Sequence, residues 1–325
     1  LPPGTLTEGF ILEVLNGDNV VFTRSTANNP NMVRNVIRGI SSDIEIENIP
    51  EGAIRGLFTI NDSGDKVYFS KGNLQYIGSA ATPYWKFADN QWDYLGTTTG
   101  QNSDATDVDR DLFGWGTSGW NSGANAYQPY STSTSYSDYY PGGSYTNNLT
   151  GTYANADWGV YNAINNGGTS SWRTLTNAEW GYVFNTRTAG GTVFGTSQAR
   201  YTEATINTDG TGVNGIILFP DGVDIASSEV TTAGAVNGSS AWGTKCTAAQ
   251  WTALEAKGCV FLPAAGYRDG TSVSSAGSGG RYWSSTCNYG SIGAYGLYFG
   301  SGSVYPQGNY YRYYGFSVRL VGPAE

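Results

Sequence analysis

Residues 281–321, RYWSSTCNYGSIGAYGLYFGSGSVYPQGNYYRYYGFSVRLV, decide the reading of the chain. Both ends have the texture of buried strand: Tyr282-Trp283-Ser284-Ser285 opens the stretch, and Phe316, Val318 and Leu320 alternate with Ser317 and Arg319 to close it. Such period-2 alternation marks a half-buried strand. Between the ends, Asn288 to Gly315 hold eight Tyr, seven Gly, three Ser and two Asn in twenty-eight residues, with Arg312 the only charge. A Gly/Tyr low-complexity tail would have this composition without packing. It would have no cause to alternate, yet Tyr295, Leu297 and Phe299 fall on one side of an extended chain while Gly296, Tyr298 and Gly300 fall on the other. Tyrosine supplies stiff amphipathic contact area, and Ser, Gly and Asn supply adaptable polar contacts, which is the composition of a binding surface.

The whole chain has 325 residues, enough for one large domain or two smaller ones. Only 13% of it is charged while 14% is aromatic, with 46 Gly, which favours a loop-rich, aromatic-packed fold over a helical bundle. A net charge of −9 without a basic patch argues against a nucleic-acid partner. No apolar run approaches the roughly 20 residues of a membrane span, and Leu1-Pro2-Pro3 reads like the start of a trimmed chain. Histidine is absent, which removes Ser-His-Asp and Cys-His nucleophilic sites and His-ligated metals together. Cys246, Cys259 and Cys287 lack metal-ligand spacing; Cys246 and Cys259, which flank a helix, read as free buried thiols, and Cys287 sits at the edge of the variable-looking segment. No cofactor or metal is expected.

Residues 1–55 read as a small β-rich N-terminal module, with a hairpin turning at Asn16-Gly17 and a β-branched run from Met32 to Ile40. Residues 56–325 then form the main domain. It opens with a hairpin across Asn61–Asp65 and continues through aromatic-Gly segments up to Trp120. Residues 121–156 are Asn, Ser, Tyr, Gly and Thr with little periodicity, an insertion either ordered or flexible. Thr176 with Glu179, and Thr247 with Gln250, form capping boxes ahead of two short helices, and Gly258 is a natural stop for the second. Strands flank them at Gly215–Pro220 and Cys259–Pro263. Short helices among many short strands predict an α+β fold with small antiparallel sheets and long Gly/aromatic-rich loops.

The frame YWSS…AY-x-L-x-F…V…R…G-x-SVRLV resembles the variable region of target proteins diversified by retroelements, in which a reverse transcriptase miscopies template adenines. Codons that begin as AAC can then give Tyr, Ser, Gly, Asn, Asp, Thr, Ile, Ala or Cys, but never Lys, Glu, Gln, Trp or Met. Asn288, Tyr289, Ser291, Gly296, Tyr298, Gly300, Ser303, Tyr305, Asn309, Tyr310, Tyr311, Tyr313 and Tyr314 fit that vocabulary and are the candidate ligand-binding residues; Gln307 does not fit it. The block Leu175-Thr176-x-x-Glu179-Trp180, Val260–Arg268 and Gly315-x-Ser317-Val318-Arg319 resemble the formylglycine-generating-enzyme-like branch of the C-type lectin fold. The resemblance implies a C-type lectin-like domain over about 56–325, with the variable region near 281–321 on one exposed face and Glu179 and Trp180 structural. It implies a non-enzymatic receptor or adhesin binding an unknown protein or glycan, secreted or displayed on a bacterial outer surface by a lipid anchor, or carried on a phage particle.

Two other functions are weighed. A formylglycine-generating-type oxidase needs a thiolate pair near the C-terminus, where Cys287 stands alone. A calcium-dependent lectin needs six to eight oxygen ligands, and the variable-looking segment holds no Asp or Glu. The acidic group Asp104, Asp107, Asp109 and Asp111 reads as solvated loop carboxylates. Tyr282, Trp283, Leu297, Phe299, Phe316, Val318 and Leu320 are expected to be scaffold.

Overall fold

A computed structural model describes residues 49–324 apart from 98, 99, 102, 166, 170, 209 and 291, together with the backbone of four strands nearer the N-terminus. The chain divides into two units, residues up to Ile49 and Pro50–Ala324. In the first, β1 (Gly4–Thr5), β2 (Phe10–Asn16), β3 (Asn19–Thr26) and β4 (Asn31–Met32) make two antiparallel pairs, β1 with β4 and β2 with β3. Asn16 lies opposite Asn19, so the chain reverses where the Asn-Gly-Asp-Asn stretch demands a tight turn. The β-branched run after Met32 lies outside the described residues.

The second unit opens with β5 (Ala53–Thr59) and β6 (Lys66–Ser70), then the hairpin β7 (Leu74–Ile77) and β8 (Tyr84–Phe87). A long stretch whose described residues form isolated bridges but no strand leads to α1 (Trp158–Tyr161), β9 (Arg173–Thr174) and α2 (Asn177–Gly181), which widens into a looser turn over Tyr182–Thr186. Next come β10 (Tyr201–Thr208), β11 (Thr211–Leu218), β12 (Thr244–Thr247), α3 (Ala248–Ala256) and β13 (Val260–Pro263). A short hairpin of β14 (Tyr267–Asp269) and β15 (Ser272–Ser274) precedes β16 (Gly279–Cys287), β17 (Gly293–Gly300), β18 (Ser303–Tyr311) and β19 (Leu320–Pro323). The larger sheets run β12-β10-β11-β13, β5-β6-β19-β9 and β16-β17-β18.

Both capping boxes form. Thr176 Oγ1 accepts from the Glu179 amide at 3.2 Å while Glu179 Oε2 accepts from the Thr176 amide at 2.7 Å. Thr247 and Gln250 repeat the exchange, and Gly258 ends the α3 turn at φ 88°. The helices they start are short: α3, with nine residues, is the longest among the described residues.

This corrects the expected fold class. Strands make up 36% of the chain and helical turns 14%, spread over several small sheets, so the fold is mostly β and not an α+β, C-type lectin-like one. Nor is a small all-β N-terminal module evident; the described backbone there amounts to two strand pairs. The physical reason for the short helices lies just beyond the first cap. Gly181, Val183 and Phe184 give α2 little helix propensity to extend on, so a good start yields barely more than one turn. Among the described residues no helix is long and apolar enough to cross a membrane.

Loops of this length expose many carbonyls, and buried arginines satisfy a share of them. Arg110, Arg187, Arg268, Arg312 and Arg319 are all fully buried. Arg319 donates from Nη1 to the Ser70 carbonyl at 2.9 Å and from Nη2 to the Phe261 carbonyl. Arg268 reaches the carbonyls of Gly270 (2.8 Å) and Ser131 (2.9 Å), and Arg187 bridges Asp221 (2.9 Å) and the Phe219 carbonyl (2.6 Å). The rigid fork of the guanidinium lets one side chain serve two loops. The reading of 316–320 as a half-buried strand is therefore corrected: Ser317 and Arg319 are as buried as Phe316, Val318 and Leu320, and only Leu320 onward pairs as strand.

Candidate ligand-binding face

The site is built on the sheet β16-β17-β18. Tyr282 lies opposite Leu297, Arg281 opposite Tyr298, and Tyr298 opposite Tyr305. Tyr282, Leu297 and Phe299 point inward and are wholly buried with Phe58, Phe69, Trp180 and Leu262. The Tyr282 hydroxyl donates to the Pro263 carbonyl at 2.8 Å. Trp283, on the other side, stacks on Phe316 at 4.1 Å and donates its indole N–H to the Phe113 carbonyl at 2.7 Å. All seven residues expected to be scaffold are fully buried.

Helix α2 braces the sheet. The Trp180 indole donates to the Trp283 carbonyl at 3.2 Å, and Gln307 Nε2 donates to the Asn177 carbonyl at 3.1 Å. Gln307 also lies so close to Gly181 that a Cβ there would meet its amide at 2.6 Å. This residue of β18, outside the tyrosine-serine-glycine vocabulary, thus has a structural post.

The candidate binding residues divide into groups. Tyr298 and Tyr305 stack nearly parallel at 6.0 Å, with Tyr305 59% exposed. An irregularity in the β17–β18 register, between Gly296 and Tyr298, shifts the alternation: Gly296 faces Gly308 while Tyr298 faces Tyr305. Tyr310 consequently shares a side with Tyr305, and packs edge-on against Phe316 at 5.1 Å. Asn309 and Tyr311 fall on the other side of the strand. With Ile292, Gly293, Tyr310 and Tyr314 they line a cleft of about 500 Å³. Tyr313 stacks on Tyr311 at 5.3 Å and meets Tyr314 edge-on at 5.0 Å. Burial pushes the Tyr310 hydroxyl up to about 12; partial burial with Tyr314 and Asp269 does the same at Tyr313, so both remain donors at neutral pH.

Others play different parts. Tyr289, 59% exposed, accepts a hydrogen bond from Asn148 at 2.8 Å, and Asn288 Oδ1 accepts from the Gly290 amide at 3.0 Å, closing the β16–β17 turn. Ser303 is half-buried opposite Gly300. Gly296 and Gly300 are buried and offer no side chain to a ligand. Ser291 lies outside the described residues.

Two residues missed by the sequence reading complete the face. The Arg281 guanidinium lies 3.7 Å from the Tyr267 ring centroid, 5.0 Å from Tyr298 and 6.0 Å from Tyr310. Tyr267 in turn meets Tyr314 edge-on at 5.5 Å. A cation beside a tyrosine-rich strand was the available signal; the ring from the β14–β15 hairpin left none. Arg312, by contrast, is a pin. It donates to the carbonyls of Gly293 (3.0 Å) and Tyr145, with its guanidinium 4.5 Å from the Trp115 ring.

Residues 121–156 are fixed to the same sheet. The Leu149 amide donates to the Ser285 carbonyl at 2.9 Å, and the Cys287 amide to Asn148 Oδ1 at 2.8 Å. Cys246, Cys259 and Cys287 are free and buried, and burial pushes all three thiols up, away from the thiolate. In the acidic stretch, Asp109 accepts from Ser79 and Asp111 from the Leu95 amide, so these carboxylates bind the backbone. Among the described residues, no three His, Cys, Asp or Glu side chains come together to hold a metal.

Residues 246–321, from β12 through the whole of the three-stranded sheet to β19, match the family described as Domain of unknown function (DUF8237). No curated protein and no solved structure matches the chain.

Proposed function

We propose that this chain is a non-enzymatic recognition protein whose β16-β17-β18 sheet displays a diversified, tyrosine-rich binding face to a protein or glycan. The observation that carries the reading is the separation within one sheet: Leu297 and Phe299 are wholly buried, while Tyr305 and Tyr311 on the next strand are 59% and 45% exposed. Side chains that point outward, on strands anchored by buried inward contacts, can change without costing the fold. Rigid rings beside Asn and Ser supply affinity at low entropic cost. The stations of Gln307 and Arg312 agree with a split between fixed and changeable positions, since each is committed to the backbone.

The test is a display library of the chain randomised at Tyr289, Tyr298, Tyr305, Asn309, Tyr311 and Tyr313. Most members should resist thermolysin as the parent does, and binders to an arbitrary folded protein should be selectable. A library in which most members are digested, while one randomised at Leu297 and Phe299 survives, would reverse the assignment. In the coding DNA, the reading requires a near-copy of the 281–321 segment with adenines at the outward codons, close to a reverse transcriptase gene.

A further inference from the structure

We infer that the face is built for an acidic glycan, with Arg281 as a fixed anion anchor beneath changeable tyrosines. This rests on the binding-face reading and adds the chemistry of the ligand. The first observation is that the Arg281 guanidinium makes no hydrogen bond and no ion pair among the described residues, while its backbone carbonyl accepts from the Ser317 amide; its Nη1 is closed off from solvent without an acceptor. The five fully buried arginines, by contrast, all donate to carbonyls or a carboxylate of this chain. A guanidinium held only by ring faces keeps its donors for something else. The rings of Tyr267 and Tyr298 fix its position, and fixing the plane in advance lowers the entropic loss when a planar anion docks edge-on.

The second observation is charge. The chain carries −9 overall, yet residues 270–322 contain no Asp or Glu and three Arg, two of them consumed by backbone carbonyls. The three strands that carry Arg281 therefore bear no acidic side chain of their own within an acidic molecule; Asp269 lies beside Tyr313 and Tyr314, and Glu203 is engaged by the Gly302 amide at the β17–β18 turn, so the anion is favoured at Arg281 itself. The third is the company it keeps. Its cross-strand neighbour Tyr298 stacks on the exposed Tyr305, and the cleft nearby is lined by Asn309, three tyrosines, a glycine and a single aliphatic side chain, Ile292. Ring faces with hydroxyl and amide groups suit a pyranose, whose C–H face stacks while its hydroxyls hydrogen-bond. A carboxylate or sulfate on that sugar would meet the Nε and Nη2 edge of Arg281, the edge left once Nη1 is closed off, in two parallel charge-assisted bonds. Because Arg281 precedes Tyr282-Trp283, outside the positions that fit the diversified vocabulary, the preference for a negative ligand would persist as the tyrosines change.

The experiment measures binding of the full chain to immobilised polygalacturonate, dextran sulfate, neutral dextran and polyglutamate by biolayer interferometry. Arg281→Gln and Arg281→Lys are compared, with melting temperatures recorded for each. Expected is binding to polygalacturonate, dextran sulfate or both, none to dextran, and a loss of roughly tenfold or more in Arg281→Gln, as removal of a charged bidentate contact requires. The polymer preferred separates a uronate from a sulfated sugar. Arg281→Lys keeps the charge and stem but not the fork; it should fold like the parent and bind more weakly, and it decides the matter should Arg281→Gln not fold. Binding to neither acidic glycan, binding to polyglutamate alone, or unchanged affinity in a folded variant overturns the inference. Binders selected from the randomised face of an Arg281→Gln chain would leave the recognition reading standing while this one fell.

Discussion

Replacing Gly296 by alanine puts a methyl group into the close approach of two strands. The added Cβ would sit 2.8 Å from the Tyr282 carbonyl oxygen and 3.6 Å from the Trp283 ring. The first of these is backbone, held in a buried strand that pairs across to Leu297, so it cannot turn aside as a side-chain tip would. Relief requires the β16–β17 spacing to open around Trp283, which is stacked on Phe316. Overpacking of that kind costs about 1–3 kcal/mol. For a unit of this size it lowers the melting temperature by about 2–12 °C, at roughly 2–4 °C per kcal/mol. Gly290→Ala is the control: its Cβ would meet Asn288 Oδ1 at an ordinary 3.6 Å, on an exposed turn. That change should stay within about 0.5 kcal/mol. Differential scanning fluorimetry, backed by urea unfolding, separates the two. Equal melting temperatures for both variants would refute the reasoning and return Gly296 to the positions free to vary.

Leu297→Ala should destabilise by about 2–5 kcal/mol, since the side chain is wholly buried, whereas Tyr305→Ala should stay within about 1 kcal/mol, the scale of one exposed aromatic pair; urea titration measures both. Gln307→Ala removes the brace to Asn177 and should cost about 1 kcal/mol in the same assay. Asp111 tests the electrostatics. Desolvation raises its pKa to about 6, above the unfolded value, so the folded chain holds this proton longer and the associated stability is lost as pH rises through about 6. Asp111→Asn, which still offers an oxygen to the Leu95 amide, should therefore gain melting temperature relative to the parent between pH 4 and pH 7, over that window as the carboxyl ionises; a constant or narrowing difference would contradict the sign.

The features legible in advance were those that depend on neighbours in sequence. The Thr176/Glu179 and Thr247/Gln250 caps close within four residues, and the split between Leu297/Phe299 and Tyr298 comes from period-2 geometry alone. Fold class failed because a capping box states where a helix begins and says nothing of its length. The burial of Arg319 could not be foreseen, since its acceptors, the Ser70 and Phe261 carbonyls, lie far off in sequence, and without them a charge there reads as solvent-facing. The same limit hid the division of the tyrosines. Counted along the chain, Tyr305 and Tyr311 share a parity; the register irregularity opposite Gly296 breaks it, so Tyr310 joins Tyr305 in register while Tyr310 and Tyr311 both border the cleft. A bulge belongs to a pair of strands and not to either sequence. Tyr310 lies 6.0 Å from the Arg281 guanidinium and also borders the cleft, so diversification along β18 alters one continuous face, and ligands selected beside Arg281 should compete with ligands held by Tyr311 and Tyr313. Cross-competition between selected binders and the acidic polymers checks this: ligands of the two kinds that bound independently of one another would divide the face in two.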